Sequence, residues 1–212
     1  MKNYLFDFDG TLVDSMPTYG ALMLRILDEN GISYGDDIIK IITPLGFIGT
    51  AEYFIGMGLK KSRDELVATM NEYAIYEYTN NIPAKPNVVS TLKKLKESGA
   101  SLNVLTASPH ATLDPCLKRI GIYDIFDNVW SCDDFGTTKA DPKIYTAAAE
   151  KIGAPVGEIL FIDDNLGADK TAKSAGMKVC GIYDDSSRDY IDEMKAATDH
   201  YVFDFSEILN ID

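Results

Sequence analysis

Apolar positions along the chain follow two different periods. Tyr19, Leu22, Met23, Ile26 and Leu27 recur at helical spacing, and Asn30-Gly31 closes that segment. Residues Ile38 to Leu45, Thr50 to Met57 and Ser62 to Tyr78 predict three further helices. Ser62 with Glu65 three residues later forms a capping box for the last of them. Ahead of this helical stretch, Tyr4 to Phe8 is a short apolar run that stops in acids and a glycine, the pattern of a buried strand.

Ile82-Pro83-Ala84-Lys85-Pro86 marks a boundary, and beyond it helix and strand alternate. Helices are predicted over Val88 to Glu97, Thr112 to Ile120, Pro142 to Ile152 and Gly167 to Ala175. Strands are predicted over Leu102 to Thr106, Val129 to Cys132, Ile159 to Asp163 and Lys178 to Ile182. Such alternation builds a parallel sheet covered on both faces. The first strand belongs to that sheet, because a lone strand cannot bury both its faces. The expected fold is therefore α/β: a Rossmann-like parallel-sheet core domain over residues 1–14 and 81–212. A small all-helical cap, residues 15–80, is inserted after the first strand.

The chain has 212 residues, enough for a sizeable core with a smaller satellite. A net charge of −13 repels nucleic acid and anionic membranes, so neither is an expected partner. Any phosphorylated ligand would need a local cation or lysine to reverse the field. Cys116, Cys132 and Cys180 are odd in number, far apart and without a Cys-x-x-Cys pair. They predict buried free thiols rather than zinc ligands or a disulfide framework. The N-terminal residues lack the apolar core of a signal peptide, and no apolar run approaches the roughly 20 residues of a membrane span. The expected location is cytoplasmic, as a monomer or homodimer.

In an open parallel sheet, ligands bind beyond the carboxyl ends of the strands. The predicted strands end in, or run into, Asp7, Thr106, Asp133 and Asp163. Asp7 and Asp9 are two residues apart, so in an extended segment they project to the same side and, placed together, need a cation. Asp7-Phe8-Asp9-Gly10-Thr11-Leu12-Val13-Asp14-Ser15 resembles the first motif of the haloacid dehalogenase-like superfamily of phosphohydrolases. Leu105-Thr106-Ala107-Ser108 resembles its second motif, Thr138 to Tyr145 around Lys139 its third, and Phe161-Ile162-Asp163-Asp164-Asn165 its fourth.

The resemblance implies a Mg²⁺-dependent phosphatase of the phosphoglycolate phosphatase and β-phosphoglucomutase-like subfamily. It acts on a small phosphorylated metabolite, a sugar phosphate or phosphoglycolate-like ester. It implies that Asp7 is the nucleophile, forming an aspartyl-phosphate, and that Asp9 is the general acid and base. Thr106, the Ala107 amide and Lys139 bind the phosphoryl group. The Asp7 carboxylate, the Asp9 backbone carbonyl and the Asp164 carboxylate hold the metal, with Asp163 supporting them.

The sequence departs from the family pattern in two places. Ala140 replaces the usual proline after the motif-three lysine, a change expected to loosen that loop. In motif four, many relatives place a second acid four residues after the metal-binding Asp; here Ala168 stands there and Asp169 comes one later, outside the expected ligand set. Two alternatives differ in reaction class. One is a β-phosphoglucomutase-like phosphotransferase. Such mutases carry Gly-x-Ser-Arg and a histidine in the cap, where this chain has Thr43-Pro44-Leu45-Gly46-Phe47-Ile48-Gly49 and Tyr19. The other is a non-catalytic protein that binds a phosphate ligand, and intact motifs argue against it.

Overall fold

The structure is a computed structural model that describes residues 2–211. Contacts divide the chain into two compact units, Met1–Asp14 with Pro83–Asp212, and Ser15–Ile82.

The larger unit is built on a parallel sheet. Its described strands are β1 (Asn3–Phe6), β2 (Ser101–Thr106), β3 (Asn128–Ser131), β4 (Ile159–Asp163), β5 (Lys178–Ile182) and β6 (His200–Val202). They lie in the order β3-β2-β1-β4-β5-β6, every pair parallel. The strand order reverses direction between β1 and β4, and that switch point is where an open α/β sheet leaves a crevice. Phe6 pairs with Val104 on one side and Ile162 on the other. This register carries Asp7 and Asp163 out of the sheet side by side, at the mouth of the crevice. The Asp7 amide donates to the Ile162 carbonyl at 2.9 Å and extends the ladder by one residue.

Apolar packing fixes this register. Leu5, Leu105, Ile159, Phe161 and Val179 are buried in one cluster with Ile144, Tyr145 and Ala148. The latter three lie on α7 (Lys143–Ile152). Each large aliphatic or aromatic side chain so buried contributes about 1.5–3 kcal/mol. A one-residue slip of β1 would turn Leu5 out of this cluster and move Asp7 away from Asp163. Helices α5 (Val88–Glu97), α6 (His110–Arg119), α8 (Leu166–Ser174) and α9 (Ile191–Ala197) complete the unit.

Strand β6 and helix α9 lie outside the elements expected from sequence. β6 is three residues long and exposed at His200, too short for an alternating pattern to register. The three cysteines are buried thiols outside any disulfide among the described residues, as expected. Among the described residues, no helix is long and apolar enough to cross a membrane.

The smaller unit is helical: α1 (Met16–Glu29), α2 (Ile38–Ile42), α3 (Gly46–Gly56) and α4 (Arg63–Asn80). Helix α3 starts four residues before the predicted Thr50. Its core is Met23, Ile26, Leu27, Ile42, Ala51, Phe54, Leu66 and Met70. Leu66, Met70 and Ala74 fall four apart on α4 and form its buried stripe. The capping box is formed: the Ser62 hydroxyl accepts from the Glu65 amide at 3.3 Å, and the Ser62 amide donates to Glu65 Oε2 at 2.8 Å.

A histidine braces the start of α6. His110 Nδ1 lies 2.8 Å from Asp114 Oδ1, and Nε2 lies 2.8 Å from Asp134 Oδ2 in the turn after β3. Hydrogen bonding to Asp114, and then to Asp134, raises the imidazole above its ordinary value of about 6.5. Because the folded value is raised, the bridge contributes its full stability below the unfolded value. That contribution is lost as pH rises through the folded one. Imidazole NMR resonances of His110 should titrate above pH 6.5 (about), and Asp134→Asn should move the midpoint down. A midpoint unchanged by Asp134→Asn would contradict the bridge.

Candidate active site

Asp7 follows β1 directly, and the chain then turns sharply. The Gly10 amide donates to the Val13 carbonyl, and the Leu12 and Val13 amides donate to the Phe8 carbonyl. Gly10 has φ +75°, a left-handed conformation that favours glycine. A Cβ there would stand 2.7 Å from Asp164 Cγ. Glycine therefore lets the loop after β1 approach the loop after β4. Thr11 exploits that approach: its hydroxyl donates to Asp164 Oδ1 at 3.0 Å.

Lys139 joins the two central strands. Its ammonium donates to Asp7 Oδ1, and to Asp163 Oδ2 at 2.8 Å. The other Asp163 oxygen accepts from the Asn165 amide at 2.8 Å, and Asn165 in turn caps α8. The Lys139 loop is held although Ala140 has replaced proline. The Ala140 amide donates to Thr138 Oγ1, the Lys143 amide to Asp141 Oδ1, and the Tyr145 hydroxyl stands 3.1 Å from the Lys139 carbonyl. These bonds tie the loop to its own turn and to α7.

Asp7, Asp163 and Asp164 bring one carboxylate oxygen each within 4.8 Å of one another, and all three residues are buried. Asp9 departs from this group, since its Oδ2 accepts from the Ser108 hydroxyl at 2.5 Å. Asp133, which also follows a strand, is exposed and lies outside the group. Thr106 is buried at the end of β2, where its hydroxyl accepts from the Ser108 amide at 3.0 Å, and Ala107 is exposed beside it.

The electrostatics of the group are those of crowded anions. Burial, then the charge of Asp163, pushes Asp7 up to about 7, with Lys139 acting in the opposite sense. Burial and the charges of Asp163 and Asp7 raise Asp164 well above the usual carboxylate range. Burial opposes the charge on Lys139, but Asp163 and Asp7 outweigh it and hold the ammonium protonated far above neutrality. One lysine faces three buried acids whose mutual repulsion a cation would relieve, and each acid offers an oxygen. A hard divalent cation fits that arrangement.

Three residues of this region lie outside the site expected from sequence. Asp169, set aside for its offset spacing, is fully buried on α8, and among the described residues neither carboxylate oxygen has a hydrogen-bond partner. Burial, then the charges of Asp163 and Asp164, raises it to about 9. Its signal was an acid among the small apolar residues Ala168 and Ala172, which form the buried face of that helix. Ser108 carries no signal beyond its place two residues after Thr106. Lys85 read as linker. Its ammonium instead donates to the Gly10 carbonyl at 2.6 Å, the Tyr183 carbonyl at 2.8 Å and Asp184 Oδ2 at 2.9 Å, and so ties the turn after β1 to the segment after β5.

The sheet order, the switch-point crevice and the acids with one lysine at its mouth are those of a Rossmann-like α/β enzyme. More specifically, the chain belongs to the haloacid dehalogenase-like hydrolases, whose family model matches residues 1–176. It is 31% identical over 180 residues to a pyrophosphatase of Bacillus velezensis, covering 84% of this chain and 81% of that protein. It is 29% identical over 221 residues to a phosphoglycolate phosphatase of Mannheimia succiniciproducens, covering 97% and 96%. A solved structure from Thermotoga maritima assigned as a β-phosphoglucomutase superposes with a TM-score of 0.83 at 22% identity, covering 99% of this chain and 97% of that one. At that identity the likeness establishes the fold.

Proposed function

We propose that this phosphatase hydrolyses a small phosphomonoester, a sugar phosphate or a phosphoglycolate-like acid, through an aspartyl-phosphate on Asp7 with Mg²⁺ as cofactor. The observation that carries the reading is the convergence of Lys139, Asp7, Asp163 and Asp164 at the sheet's switch point. The Asp7 carboxylate, the Asp9 carbonyl and the Asp164 carboxylate would hold the ion, and Asp163 supports them while bound to Lys139. When bound, the ion offsets the repulsion between a carboxylate and a phosphate dianion, about 4 kcal/mol for one pair of charges at 4 Å and an effective dielectric of 20.

In the first step an Asp7 oxygen bonds to phosphorus, the ester P–O bond breaks, and Asp9 gives its proton to the leaving oxygen. In the second, Asp9 takes a proton from water as the water oxygen bonds to phosphorus, and the bond to Asp7 breaks. The Thr106 hydroxyl, the Ala107 amide and Lys139 hold the phosphoryl oxygens through both steps. The helical unit, read as a cap over residues 15–80, selects the ester. The relatives named as phosphoglycolate phosphatase and pyrophosphatase support a small phosphorylated substrate.

A panel of phosphorylated metabolites tests the reading. Mg²⁺-dependent phosphate release from at least one small phosphomonoester is expected, and chelator should abolish it. β-Glucose 1-phosphate should give glucose and phosphate if it reacts. Release from none of the panel would point to a binding protein, and glucose 6-phosphate as product would point to a mutase.

A further inference from the structure

Ser108 links two groups of the site that the four motifs treat separately. Its hydroxyl donates to Asp9 Oδ2 at 2.5 Å, within the short range of an O–H···O⁻ bond. Its amide donates to Thr106 Oγ1 at 3.0 Å. The first bond spans 99 residues of sequence, from the loop after β2 to the turn after β1. Ser108 is itself held at both ends. Thr106 is buried at the end of the strand, and α6 begins two residues on at His110, which is fixed by Asp114 and Asp134.

An aspartate has few torsions. With one carboxylate oxygen anchored, the direction of the other is set. The Ser108 amide meanwhile occupies the Thr106 oxygen, so that hydroxyl is turned to donate its hydrogen elsewhere. A single residue thus orients both the group that protonates the leaving oxygen and a donor to the phosphoryl group.

We propose that Ser108 is the positioning residue for Asp9, aiming its carboxyl at the leaving-group oxygen. This rests on the reading of Asp9 as general acid. The value of such aiming depends on the substrate. An alkoxide leaves poorly unless protonated in the transition state, whereas p-nitrophenolate leaves well without a proton. Loss of aim therefore acts selectively, and loss of general stability does not.

The test compares kcat/KM for an alkyl phosphomonoester and for p-nitrophenyl phosphate, since that parameter reports phosphoryl transfer to the enzyme. Ser108→Ala should lower the alkyl value about tenfold and the aryl value less than threefold (roughly). Ser108→Thr, which keeps the hydroxyl, should restore most of the loss. Equal losses on both esters, no loss on either, or failure of Ser108→Thr to rescue would overturn the inference. Asp9→Asn, measured in parallel, separates the two failures. If Asp9→Asn is selective and Ser108→Ala is not, the role of Ser108 alone falls. If Asp9→Asn is itself unselective, the reading of Asp9 falls and the inference falls with it.

Discussion

Replacing Asp7 by Asn should lower Mg²⁺-dependent phosphate release by at least about a thousandfold while the fold persists. Asn keeps the shape of the side chain and offers the Lys139 ammonium a carbonyl oxygen. It cannot form the acyl phosphate. Stability should change little because two effects oppose. The substitution weakens the ion pair with Lys139, and it removes one of the anions crowded against Asp163 and Asp164. Far-ultraviolet circular dichroism and a melting curve check the fold, and phosphate release on the best substrate checks the chemistry. Turnover above a tenth of wild type would exclude Asp7 as nucleophile.

Lys139→Met should produce the second largest loss, and it should register in stability as well. The ammonium donates to Asp7 and Asp163 across the central strands, in a side chain that is 13% exposed against 10% and 0% for its partners. Removing one member of a buried pair strands the others and typically costs about 3–5 kcal/mol. Activity, measured where the variant is still folded, should fall about a hundredfold or more, because a preorganised cation facing the phosphoryl group is lost. In the double variant with Asp7→Asn, the stability losses should sum to less than the two measured separately, since one stranded anion is gone. Unchanged activity would remove the lysine from the site, and additive stability losses would mean that it does not act on Asp7.

Much of this was legible in the sequence because strand ends and acids leave local marks. The run before Asp7, the Thr106 strand and the Asp163-Asp164 pair each combine an apolar stretch with a polar stop, and a parallel sheet puts such stops on one edge. Lys139 was legible only by family resemblance, as nothing local distinguishes it from a surface lysine. The remainder was not legible for physical reasons. The bond from Ser108 to Asp9 and the three bonds of Lys85 join segments far apart in sequence, so no spacing rule reports them. Asp169 misses the expected spacing by one residue, and its link to the acids shows only in its burial without a hydrogen-bond partner among the described residues. The β6 strand was too short to carry a pattern.

The central claim is that a covalent bond forms between phosphorus and Asp7. Borohydride added during turnover reduces an acyl phosphate to the corresponding alcohol, and peptide mass spectrometry then locates it. The prediction is homoserine at position 7 in wild-type protein only when substrate and Mg²⁺ are present, and none in Asp7→Asn. Homoserine at another acid, or phosphate release with no reduced residue anywhere in the chain, would contradict it.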